Sequence, residues 1–325
     1  MQRRRFLATT GRAGLGLGLL GLGACSSNEA PPAQSPAAAP GSDPAPAPWF
    51  RISLAQWSLH RAFGDGTLAN ADFAGVARET FGIGGIEFVN RFFPDNFRDD
   101  YLAELNRRAE EHNVRQLLIM VDHEGDLGDT DAAARRRAVE NHHRWVDTAA
   151  ALGCHSIRVN AAGSGSREAV AEAASDGLRR LAEYAGPAGI NVLVENHGGY
   201  SSDGSWLAGV IENTEMGNCG TLPDFGNFCV ERNDPKDYSK GCKDEYDRYR
   251  GVRELMPYAR AVSAKTHDFA ADGAEEHTDY GRMLDIVREA NYDGWVGIEY
   301  EGDGLSEEEG IRRSVDLLLA HGGQF

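Results

Sequence analysis

Three acidic residues each close a short apolar run. They are Glu195 in V-L-V-E-N-H, Asp224 in T-L-P-D-F-G-N and Glu299 in V-G-I-E-Y-E. A carboxylate emerging from apolar surroundings is costly unless it is paired. Several such groups meeting in one place would repel each other, and a divalent cation is the simplest remedy. Oxygen donors with one imidazole suit Mn, Mg or Co, and also Zn. Other polar groups end further runs: Trp57 and His60, Glu87 and Asn90, Asp122-His123-Glu124, Arg158 and Asn160, Asn227, Lys265 and His267. Glu301 shares a strand face with Glu299 and is an alternative ligand. His197, just after Glu195, reads either as a site residue or as packing. His142 and His143 lie mid-helix without a partnering motif and read as surface or packing residues, and Trp145 and Trp206 as helix core.

Such residues need a scaffold that gathers strand ends. From residue 51 onward, Ile-, Val- and Leu-rich runs recur at Ile52–Leu59, Ile83–Val89, Gln116–Val121, Ser156–Val159, Asn191–Val194, Thr221–Phe225, Ala261–Lys265 and Trp295–Tyr300. Between them lie stretches with helical periodicity, among them Tyr101–His112, Asp131–Leu152, Arg167–Ala185 and Tyr280–Ala290. Eight alternating βα units predict a closed (β/α)8 barrel, and the near-continuous apolar character of the runs fits parallel strands buried on both faces. An open doubly wound sheet would show fewer units and a G-x-G-x-x-G turn, which does not follow the first run. Chemistry in such a barrel belongs at the C-terminal ends of the strands.

The barrel is expected over residues 49–325. Residues 1–25 read as a leader: Arg3-Arg4 before Phe6-Leu7 resembles a twin-arginine export signal, and the apolar stretch Ala13–Ala24 is too short to span a bilayer. It ends in Leu22-Gly23-Ala24-Cys25, which resembles a lipoprotein box with Cys25 as the lipidated residue. Residues 26–48 are a Pro/Ala-rich, semi-extended linker. The expectation is an exported protein, lipid-anchored to the membrane through Cys25 on the periplasmic side. Among the later cysteines, Cys154 reads as a buried thiol. Cys219, Cys229 and Cys242 lie close in sequence, and Cys229–Cys242 is the first choice for a disulfide. A zinc knot would want a C-x-x-C pair, which is absent. The net charge of −17, without a basic run beyond the N-terminus, argues against a nucleic-acid partner. Oligomeric state is not legible.

At strands five, six and eight the chain resembles the xylose-isomerase-like TIM barrel superfamily, the sugar phosphate isomerase/epimerase group. The segment Tyr292-Asp293-Gly294-Trp295 leading into Ile298-Glu299-Tyr300-Glu301-Gly302 looks like that family's last-strand signature. The resemblance implies one divalent metal held by Glu195, Asp224, a histidine near strand seven and Glu299. The chain there reads Ser263-Ala264-Lys265-Thr266-His267, with Ser263 at the matched position and His267 four residues on as the expected ligand. It also places Asn227 where many epimerases carry a substrate-contacting histidine.

The resemblance further implies a carbohydrate substrate and an enediolate mechanism. Glu195 and Glu299 would flank the sugar, one removing a proton and the other returning it. Lys265 or Arg158 would hold a substrate oxygen, while Trp57, His60 and His123 form walls. Glu87, Asn160, His197, Asn227 and Glu301 complete the expected substrate shell. Rival readings are a lyase or hydratase acting on a keto-glycoside, a non-catalytic sugar-binding lipoprotein, and a metal-dependent phosphodiesterase. The last would want more histidines and a basic groove.

Overall fold

The computed structural model describes residues 47–234, 237 and 240–325. The expected leader, with Cys25, and all of the linker except residues 47 and 48 lie outside them. The strands are β1 (Phe50–Ala55), β2 (Gly85–Val89), β3 (Arg115–Met120), β4 (Ser156–Val159), β5 (Asn191–Glu195), β6 (Cys219–Leu222), β7 (Cys229–Arg232), β8 (Cys242–Glu245), β9 (Val262–Thr266), β10 (Trp295–Tyr300) and β11 (Gly323–Gln324). The helices are α1 (His60–Gly64), α2 (Asn70–Phe81), α3 (Asp99–Glu111), α4 (Ala132–Ala151), α5 (Arg167–Ala185), α6 (Gly204–Thr214), α7 (Arg248–Leu255), α8 (Tyr280–Glu289) and α9 (Glu307–Ala320). No helix among the described residues is long and apolar enough to cross a membrane.

The parallel strands run in the order β6-β5-β4-β3-β2-β1-β10-β9. Bridges from Thr221 to Ala259 and from Asp224 to Ser263 join β6 to β9 and close the ring. Pro223 interrupts the β6 ladder because it has no N–H, so the strand ends at Leu222 rather than at the expected Phe225. The chain resumes contact one residue later: Ser263 N–H donates to Pro223 O at 2.9 Å, and Phe225 N–H to Ser263 O at 3.1 Å. That local break aims the Asp224 carboxylate into the barrel mouth.

Two-residue periodicity sorts each strand. Ile52, Leu54, Ile86, Phe88, Ile119, Ile157, Val192, Val194, Val296 and Ile298 face the helices in one large core. Ala55, Val89, Leu118, Met120, Leu193, Leu222 and Ala261 form a smaller core inside the ring. The remaining inward positions are polar and buried: Ser53, Glu87, Arg158, Glu195, Ser263, Lys265 and Glu299. Short acidic or hydroxyl side chains hold the helix starts. Asp131, Ser166, Asp203, Asp247, Asp279 and Ser306 each accept from a backbone N–H in the first turn of α4 to α9.

The β7–β8 hairpin is inserted between β6 and α7 and was not foreseen. Its strands read C-V-E-R and C-K-D-E, too polar to signal a buried ladder. The expected Cys229–Cys242 disulfide is present and joins them across 13 residues. A two-stranded hairpin is marginal alone in water, and closing a loop of this size adds about 3 kcal/mol. Cys154 and Cys219 are free and buried.

Candidate metal centre

Glu195 ends β5, Asp224 follows β6 after the Pro223 break, and Glu299 is the fifth residue of β10. All three are buried, and each offers a carboxylate oxygen within 4.8 Å of the others. Their partners set the geometry. Asp224 Oδ1 accepts from the N–H groups of Gly226 and Asn227 at 2.8 and 2.9 Å. Asn227 Nδ2 donates to Glu195 Oε1 at 2.8 Å. Ser263 Oγ lies 2.6 Å from Asp224 Oδ2 and 3.0 Å from Glu299 Oε2. One hydroxyl has one proton to donate, so it satisfies only one of those two oxygens at a time.

Two cations border the cluster. Arg158 Nε touches Glu195 Oε2 at 2.6 Å, and Arg158 Nη1 donates to Asp122 Oδ1 at 2.8 Å. The Nε–Oε2 contact lacks hydrogen-bond alignment, and both atoms are otherwise unpartnered. Lys265 Nζ lies 3.4 Å from Glu299, 3.3 Å from Glu301 and 3.9 Å from Asp224. Burial pushes the Glu195 carboxyl well above its usual range, with Glu299 and Asp224 adding repulsion against the pull of Arg158. Burial likewise pushes Asp224 up to about 6, although Lys265 opposes it. Burial would lower Lys265, but Asp224, Glu299 and Glu301 outweigh it and hold the ammonium well above its usual value. Burial would raise Glu301, but Lys265 and then His267 bring it down to about 2.

These residues fit a divalent cation. The donors are all oxygen, the carboxylates are too crowded to be comfortably ionised together, and Glu195 Oε2 accepts no aligned hydrogen bond. Above them opens a cavity of ≈ 330 Å³, lined among others by Trp57, Asp122, His123, Arg158, His197 and Glu299. That volume is at the small end of ligand sites. His123 turns the chain here with φ 63°, a left-handed conformation seldom used by a side-chain-bearing residue. Asn160 donates to Asp122 at 2.8 Å and also lines the cavity. His197 stands open at the mouth.

Three expected positions need correction. His267 is not in the carboxylate cluster. β9 stops at Thr266, so the inward alternation of Ser263 and Lys265 does not continue, and His267 N–H turns to Glu275 Oε1 at 3.2 Å. Ser263 holds the position facing the carboxylates. Glu87 lies deeper than the mouth: its Oε1 accepts from Ser53 Oγ at 2.7 Å, and a Cβ on Gly297 would fall 2.5 Å from it. His60 stacks on Trp57 at 5.0 Å, with Nδ1 2.8 Å from the Trp57 carbonyl, and does not line the cavity. Asn227 orients Glu195, and Glu301 pairs with Lys265 instead of joining the cluster.

Two neighbours had no assigned role. Asp122 joins Arg158 to the cavity wall. Burial would raise its carboxyl, but Arg158 and then His197 hold it well below the usual range. His142, read as packing, is 3 % exposed and lines the cavity, with Nδ1 2.7 Å from Ala138 O. Its spacing from Val139, Trp145 and Val146, all buried, was the available signal that its face looks inward.

The model of the xylose isomerase-like TIM barrel family matches residues 75–321. The chain belongs to that family. Among solved structures it is similar to a D-psicose 3-epimerase determined with D-fructose, at TM-score 0.65 and 13% identity over 84% of this chain and 100% of the other. It is similar to the 3-keto-D-glucoside 4-epimerase of E. coli, at TM-score 0.59 and 15% identity over 77% and 93%. It is also similar to an AP endonuclease of family 2 from Brucella melitensis, at TM-score 0.55 and 22% identity over 81% and 96%. At these identities the likeness is one of fold. No curated protein matches the chain.

Proposed function

We propose that the chain is a metal-dependent isomerase or epimerase of a neutral keto-sugar. The observation that carries the reading is the convergence of Glu195, Asp224 and Glu299, buried and within 4.8 Å, beneath a polar cavity. A divalent cation held by these three would supply Lewis acidity to a carbonyl and its neighbouring hydroxyl. The remaining work falls to the chain itself. β5 and β10 lie three steps apart around the ring, so Glu195 and Glu299 approach a sugar from different sides. Asn227 fixes one oxygen of Glu195, and burial raises the basicity of that carboxylate. Glu195 would take the proton from the carbon beside the carbonyl and release it to solvent, and Glu299, held by Ser263 and Lys265, would pass a solvent proton to the resulting enediolate. Return to the opposite face gives an epimer, and return to the adjacent carbon gives an isomer.

A neutral substrate follows from the charges. Arg158 is paired with Asp122 and Glu195, and Lys265 with Glu299 and Glu301, so both are committed to carboxylates and not to a phosphate. Trp57 gives the cavity an aromatic wall, and His197, His123 and Asn160 offer polar groups. An export leader and a lipid anchor at Cys25 would place this chemistry outside the cytoplasm, where unphosphorylated sugars are met. The sugar epimerases among the structural neighbours are consistent with the same reading. The test is deuterium wash-in: with Mn²⁺ added, a panel of ketoses and keto-sugars is incubated in heavy water and read by NMR. Exchange beside the carbonyl that is lost in Glu195→Gln and Glu299→Gln supports the proposal. Exchange that persists in both variants, or sugar binding with no exchange at all, refutes it. Elimination products would instead mark a keto-glycoside lyase.

A further inference from the structure

A second, larger cavity of ≈ 860 Å³ adjoins the first, and no role has been given to it. The two share His197 and Glu301 in their walls. The carboxylate cluster lies under the join. Glu299 lines the first cavity, whereas Asn227 and Lys265, which touch Glu195 and Glu299, line the second. A ligand seated over the cluster therefore borders both spaces. The first cavity alone is small for a site of this type, and the second more than doubles the room.

The β7–β8 hairpin builds the outer wall of this space through Val230, Glu231, Asn233 and Lys243. It is a fixed wall. The Cys229–Cys242 bond ties its strands together, and Asn233 Nδ2 donates to Lys240 O at 2.9 Å. At its root Phe228 is fully buried, with its carbonyl accepting from Tyr246 N–H at 2.9 Å. Beside it the lining is bare backbone. Gly198 and Gly199 have φ of 88° and 62°, and a Cβ on either would meet nothing within 4 Å. A bare backbone ledge, the amides of Asn227 and Asn233 and charges of both signs, with Lys243 paired to Glu231 and Lys265 to Glu301 beside Arg232, make a polar surface suited to hydroxyls.

We infer that the hairpin-walled cavity is a subsite for a second ring, so that the substrate is a glycoside or disaccharide and not a free monosaccharide. The sugar that reacts lies over Glu195, Asp224 and Glu299, and its glycosidic partner lies against Val230 and the Gly198–Gly199 ledge. The inference rests on the sugar-converting reading of the carboxylate site, but binding tests it without turnover.

The experiment is calorimetric titration of the full chain with Mn²⁺ present. The ligands are glucose, galactose, their methyl glycosides and their disaccharides, each with and without oxidation of one ring hydroxyl to a keto group. At least one disaccharide is expected to bind about tenfold more tightly than its monosaccharide. Val230→Trp, which fills the second cavity, should remove that advantage while changing monosaccharide binding less than about twofold. Lys243→Trp, on the exposed side of the same wall, serves if the first variant fails to fold. Equal affinity for one ring and two, or equal loss for both in a folded variant, overturns the subsite. Loss of deuterium exchange with the disaccharide preference intact would overturn only the catalytic reading.

Discussion

Replacing Glu87 by Gln tests whether a neutral carboxylic acid sits inside the barrel. Glu87 is 1 % exposed, its Oε1 accepts from Ser53, and its Oε2 has no partner. Burial, opposed by the Ser53 hydrogen bond and reinforced by Glu299, pushes the carboxyl up from 4.5 to about 7. The sign follows from linkage. Below the unfolded value both states hold the proton. Between that value and 7 the unfolded chain releases it while the native chain keeps it, so wild-type stability falls as pH rises and levels off above 7. Each unit of difference is worth about 1.4 kcal/mol, so the loss totals about 3 kcal/mol. Gln has the shape of the protonated acid and does not titrate. Its second hydrogen-bearing group meets the same unpartnered spot, at a cost of about 1–3 kcal/mol that does not change with pH. The comparison is therefore between pH values. Urea unfolding of metal-free protein, with coincident spectroscopic probes as the check on two-state behaviour, is measured at pH 5 and pH 8. The variant should gain about 2.5 kcal/mol on wild type between them, since a little of the loss has already occurred by pH 5. A difference that stays constant across the two would show that Glu87 is ionised in the native barrel.

Arg158→Met leaves Glu195 buried without its cation and should cost about 3–5 kcal/mol in urea unfolding at neutral pH; a change under about 1 kcal/mol would contradict the pairing. Cys229→Ser with Cys242→Ser should speed amide exchange in β7 and β8 by a factor equivalent to about 3 kcal/mol while leaving β1–β6 protected, and uniform loss of protection would show that the hairpin supports the whole barrel. Ser263→His adds a nitrogen donor between Asp224 and Glu299 and should shift metal preference from Mg²⁺ toward Zn²⁺ by about tenfold in competitive binding; an unchanged ratio would place Ser263 outside the coordination sphere.

The barrel was legible because parallel strands buried on both faces leave continuous apolar runs, and each of the eight expected runs overlaps a strand of the ring. Glu195 and Glu299 were legible for the same reason, since an acid that ends such a run has nowhere to go but the mouth. Asp224 was found although its strand was drawn too long, because Pro223 halts the ladder without moving the residue out of the ring. His267 failed because two-residue alternation holds only while the strand lasts, and β9 ends one residue earlier. Glu87 failed differently: it lies within β2, not at its end, and sequence gives no depth along a barrel axis. His142 and Asp122 depend on which helix face and which loop turn meet the mouth, and that is fixed by packing. The hairpin was invisible to hydropathy, and only its cysteines announced it.

The central claim is that Glu195, Asp224 and Glu299 jointly hold one cation. Calorimetric titration of chelator-stripped protein with Mn²⁺ measures it without any substrate. One site per chain is expected, with affinity reduced about a hundredfold or more in Asp224→Asn, which keeps the neighbouring cations and whose fold is checked by circular dichroism. Wild-type protein that takes up no Mn²⁺, or an Asp224→Asn variant that binds it as tightly as wild type, would contradict the account.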